Sequence, residues 1–79
     1  MNPDMRCELL KSLGLVGSTL GVLHGAALRA GRADEMAALE MRLALLRARL
    51  RAGIAGPELL AGIRLFIEDF EAFFSLCCR

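Results

Sequence analysis

Apolar residues recur at steps of three and four along nearly the whole chain, the period of a helix face. Met5, Leu9, Leu13, Val16, Leu20, Leu23 and Ala27 fall on one such face, and this predicts a first helix over about residues 3–30. Asn2 can cap it, Pro3 suits a first helical position because its missing N–H has no partner to lose there, and Gly31 is a stop that accepts positive φ. Met36, Leu39, Leu43, Leu46 and Leu50 repeat in the same way and predict a second helix over about 34–52. Glu35 stands near its positive dipole end, and Arg47, Arg49 and Arg51 crowd its negative end. The third helix, about 57–76, opens on Pro57 and Glu58. It carries Leu59, Ile63, Phe66, Phe70, Phe73 and Cys77 on one stripe, broadened by Leu60, Ile67 and Phe74. No strand period competes with these patterns.

The link Gly53-Ile54-Ala55-Gly56 is too short for anything but a reversal, so helices two and three form an antiparallel hairpin. Pairing outward from the turn sets Leu50 near Leu59 or Leu60, Leu46 near Ile63, Leu43 near Phe66 or Ile67, and Leu39 near Phe70; Arg42 then approaches Glu68. The expected fold is all-α: a single domain over residues 1–79, a small three-helix bundle built on that hairpin.

Composition changes the picture in one respect. A chain of 79 residues buries only about 60% of the surface it exposes unfolded. Yet 56% of its residues are hydrophobic, above the roughly 45–50% of an ordinary globular domain. The apolar excess must be covered by a partner, by a second copy or by a membrane. The uncharged run 12–28 is the candidate membrane segment, but it holds four glycines, Ser18, Thr19 and His24 and is shorter than the roughly 20 apolar residues a span requires. Asp4 and Glu8 stand where a secretory signal carries positive charge, which points to a cytoplasmic protein. A net charge of +1 lacks the basic surplus of a nucleic-acid binder.

Candidate chemistry is sparse. His24 has no nucleophile or acid at a matching spacing. Three cysteines, two of them adjacent, make neither a disulfide framework nor a convincing zinc site. Glu68, Asp69 and Glu71, and Arg47, Arg49 and Arg51 at the end of the second helix, read as solvated faces. The expectation is a non-enzymatic protein with no cofactor and no metal. Two features do suggest binding. Phe66, Phe70, Phe73 and Phe74 hold every aromatic ring, and aromatics dominate interface hot spots. Gly17, Gly21 and Gly25, four apart, form a ridge that lets another helix approach closely; each glycine costs about 0.8–1.0 kcal/mol relative to alanine inside a helix.

The stretch Leu46-Arg47-Ala48-Arg49-Leu50-Arg51-Ala52-Gly53-Ile54-Ala55-Gly56-Pro57-Glu58-Leu59-Leu60 resembles the hairpin of the small E-component co-chaperones of bacterial type III secretion needles. Those proteins join a basic helix end, a glycine and a Pro-Glu that opens the next helix. The resemblance covers residues 36–76; the long, apolar, glycine-rich first helix departs from it. It implies a cytoplasmic helical hairpin that acts with a second, larger chaperone to keep a needle subunit soluble. The function expected is thus a protein-binding accessory factor, a co-chaperone or adaptor, bound to another protein by helix-in-groove contacts. A self-associating structural bundle and a small protein anchored through 12–28 are the alternatives.

Overall fold

The computed structural model describes residues 3–54 and 56–78 and consists of three helices, α1 (Pro3–Arg29), α2 (Ala33–Arg51) and α3 (Pro57–Cys77). They pack up, down and up into a rod of 40 × 19 × 18 Å. No strand occurs among the described residues. The boundaries match the periodic segments to within a residue or so. Asn2, the expected cap of α1, and Ala55 in the hairpin turn lie outside the described residues.

The two reversals use the same device. Gly31 (φ +70°) and Gly53 (φ +79°) take the left-handed conformation just past a helix end. The Gly31 N–H donates to the Leu28 carbonyl and the Arg32 N–H to that of Ala27; likewise Gly53 N–H donates to Leu50 and Ile54 N–H to Arg49. This pair of backward bonds satisfies carbonyls that the helix end would otherwise leave open, and a residue with a Cβ resists the φ it needs. Gly56 is extended, its carbonyl accepts from the Leu60 N–H at 3.2 Å, and Pro57 begins α3.

The core is a single cluster. α1 contributes Leu13, Leu20, Leu23 and Ala27; α2 contributes Met36, Leu39, Leu43, Leu46 and Leu50; α3 contributes Leu59, Ile63, Phe66 and Phe73. Phe66, Leu13, Leu20 and Leu50 are the largest side chains fully shut off from water. No polar or charged residue is buried among the described residues, so the cluster is held by apolar burial alone, worth roughly 25 cal/mol per Å² removed from water.

The hairpin register is close to the expected one and differs in the partner of Arg42. Arg42 pairs with Asp69 (Nη1 to Oδ2, 2.6 Å), not with Glu68. Asp69 lies three residues after Phe66 and four before Phe73, so it flanks the buried stripe, whereas Glu68 is two residues from Phe66 and points away from it. Leu39 and Phe73 line one cleft, and Phe70 packs against the core that holds Leu39. Arg47, expected on a solvated face, is half-buried; its Nε is shut off from water and without a hydrogen-bond partner, while Arg49 and Arg51 are exposed.

Truncating the central ring tests this core. Phe66→Ala is expected to cost about 3–5 kcal/mol, enough to unfold a bundle of this size or to shift its urea midpoint drastically. Phe74→Ala, at a half-exposed ring, is expected to cost under about 1 kcal/mol in the same titration.

Candidate partner-binding surface

A helix in a three-helix bundle presents one sector to its neighbours and the rest to solvent. The four phenylalanines divide accordingly. Phe66 and Phe73 are buried in the core, and neither ring is available to a partner. Phe70 is half-buried against that core, and Phe74 is 41% exposed, its ring 6.2 Å from that of Phe70 and inclined at 55°. The candidate aromatic contact thus narrows to Phe74 and the rim of Phe70. Ile67 and Leu60, seven and fourteen residues back from Phe74, share its side of α3; Leu60 is exposed and Ile67 half-buried.

The glycines divide as well. A Cβ at Gly17 meets Leu43 Cδ2 at 3.2 Å, so Gly17 serves packing inside the bundle. At Gly21 a Cβ meets nothing within 4 Å, and at Gly25 only the Arg29 guanidinium of the same helix. The three do not make one face. Each four-residue step overshoots a full turn by about 40°, so the line that begins against α2 at Gly17 has swung into solvent by Gly21. On that outer side of α1 Gly21 and Gly25 join Ser18, Leu15 and Val22, the last 84% exposed. The helix is nevertheless continuous through all four glycines. Thr19 bends its hydroxyl back to donate to the Leu15 carbonyl at 2.9 Å.

A third apolar face was not singled out from the sequence. α2 carries Ala38, Met41, Leu45 and Ala48 on the side opposite its core stripe, continued by Ala52 just past its end, all exposed, with Met41 at 69% and Leu45 at 57%. Its steps of three and four were legible, but alanine attracts no notice beside the leucines of the inner stripe. The Arg42–Asp69 bridge borders this face, and Arg42 also lies over the Phe66 ring at 5.5 Å from its centroid. Both charged groups are substantially exposed, so the pair contributes at most about 1 kcal/mol.

Groups capable of chemistry are dispersed. His24 is exposed on α1. Cys7 and Cys78 are exposed, Cys77 packs against the core, and all three are free thiols. No group of three or more histidine, cysteine or carboxylate side chains able to hold a metal occurs among the described residues. A depression at the hairpin turn between Arg49, Ile54, Pro57 and Glu58 is open to solvent. By length and composition α1 is apolar enough to cross a bilayer, and its most apolar window is 17% buried in the bundle.

Fold and surface together define a small all-α bundle with apolar outer faces on each of its helices. Comparison with family models, with curated proteins and with solved structures finds no match to the chain.

The glycine geometry generates a test. Gly21→Ala adds a side chain into open space on a helical backbone, so it is expected to raise stability by about 0.5–1 kcal/mol. Gly17→Ala must displace Leu43 and is expected to gain less or to lose. Thermal melts of the two variants order them; a larger gain at Gly17 would contradict the packing described.

Proposed function

We propose that the protein is a non-enzymatic binding factor, a cytoplasmic co-chaperone or adaptor that covers an apolar helix of another protein. The observation that carries this reading is the apolar surface left outside the core. Phe74 and Leu60 on α3 and Leu15 and Val22 on α1 are exposed although the bundle is complete without them. Exposed large apolar side chains that gather on one side of an element mark interaction sites more often than scattered ones do.

The likeness of residues 46–60 to the turn of the type III secretion needle co-chaperones adds a direction to the reading. A secretion subunit, or the larger chaperone that accompanies it, is the partner that likeness suggests. Phe74 is the aromatic anchor, Phe70 supports its ring, and Leu60 extends the contact along the same side of α3 in the manner of helix-in-groove recognition.

Co-expression with the products of flanking genes tests the proposal. A partner that co-purifies with the native chain is expected to lose at least about tenfold in affinity, about 1.4 kcal/mol, with Phe74→Ala and Leu60→Ala combined. Circular dichroism should show the helix content of that variant unchanged. A chain that binds none of these products, and a complex indifferent to Phe74 and Leu60, each count against the reading.

A further inference from the structure

The outer face of α2 has a property that the other apolar faces lack: its charge pattern is its own complement when reversed. Ala38, Met41, Leu45, Ala48 and Ala52 repeat at three, four, three and four, the spacing of a coiled-coil seam. The alanines keep the seam thin, so a facing helix can come to the near limit of the 8–10 Å usual between packed helices. Acidic residues occupy the first turn, Asp34 and Glu35, and basic residues the last, Arg49 and Arg51. Glu35, Arg42 and Arg49 are spaced seven apart and therefore run along one flank of the seam.

We propose that this face binds the same face of a second copy of the chain, with the two α2 helices antiparallel about a two-fold axis. Reversal sets Ala38 across from Ala48 of the second copy and Met41 across from its Leu45, and by symmetry each of these pairings occurs twice. On the flank, Glu35 faces Arg49 of the second copy, also twice. Arg42 lies nearest the axis and meets its own counterpart. That like-charge meeting is relieved within each chain, because Asp69 holds Arg42 at 2.6 Å. The exposed Arg32–Glu35 pair, 2.8 Å within one chain, competes only weakly with the new contact.

Orientation follows from sign. Parallel helices would set this flank against the opposite flank of the second copy, Arg42 and Arg49 towards Ala37 and Ala44, with no charge there to pair, and would align the two helix dipoles; the antiparallel pair gains the Glu35–Arg49 contacts and opposes the dipoles. An unrelated helix would have to bring a matching reversal of charge, whereas a second copy carries it by construction. The seam from Ala38 to Ala52 is about 21 Å long at 1.5 Å per residue. That is short for an interface, so the dimer is expected to be reversible and of micromolar stability. The inference does not rest on the proposed co-chaperone role, because Met41 and Leu45 lie on a different helix from Phe74 and Leu60.

Sedimentation of the full chain over a roughly hundredfold range of concentration tests it. The native protein should pass from monomer to dimer. Leu45→Glu and, separately, Met41→Lys should remain monomeric throughout with unchanged helix content, since both positions are exposed in the single chain. Glu35→Arg alone and Arg49→Glu alone should each weaken the dimer roughly fivefold at low salt, and the two combined should restore it. A native chain that stays monomeric at every concentration overturns the proposal, as it would if the α2 face served a different protein. So does a dimer that survives Leu45→Glu, or a double charge swap no better than its single components.

Discussion

Three helices around one axis share a single interior, and each can turn only one sector toward it. Among the described residues that interior is closed by Phe66 and twelve other side chains packed in one cluster, with no polar group among them. Its volume is set by how closely the helices approach, and the approach is set by residues such as Gly17, beside Leu43, and Gly62, beside Leu46. Once the sector is filled, further apolar residues have nowhere to go but the surface. The hydrophobic 56% of the sequence and the exposed leucines, methionines and Phe74 are thus two views of one constraint. The functional proposal rests on that constraint, since a surface of this kind is costly to leave wet.

Direction comes from the ends of the helices. Gly31 and Gly53 reverse the chain through the same pair of backward hydrogen bonds. Both links are short, so α1 and α3 run parallel and α2 runs against them. This places the acidic start of α2 beside the end of α1 and its arginine-rich end beside the start of α3. The charge gradient of α2 follows the helix dipole inside the chain and at the same time supplies the sign reversal on which pairing of two copies depends. One local rule therefore serves two levels of structure.

What could be read in the sequence was what depends on nearest neighbours. Helix bounds follow from Pro3, Gly31, Gly53 and Pro57, and the inner stripes follow from leucines at steps of three and four. Nine of the ten α2 and α3 residues placed on the hairpin seam or its edge by counting outward from the turn do pack in or against the core, Leu60 being the exception. What could not be read depends on rotation accumulated along a helix or on the lateral placement of one helix against another. Gly17, Gly21 and Gly25 look equivalent on a count of four, yet only the first faces α2. Glu68 and Asp69 are adjacent in sequence, and a turn of about 100° per residue decides which meets Arg42. The broad stripe of α3 could not be divided into core and surface until α1 was in place, and so Phe66 and Phe73 were grouped with Phe74.

The outer faces differ in chemistry, and the difference decides what each can select. The outer side of α1 around Gly21 and Gly25 is thin and uncharged between Lys11 and Arg29, so it offers close approach without a preferred direction. The Phe74 side of α3 offers an aromatic ring supported by a second one, which gives affinity to an apolar partner but little register. On α2 the apolar seam is bordered by charges whose sign changes along its length, and only there does the surface distinguish one orientation from the other. Affinity without direction suits a factor that shields a helix of another protein. Direction with modest affinity suits an assembly of like chains that must come apart again. Both can reside in one small bundle because its core, built from one sector of each helix, leaves the opposite sectors free to diverge.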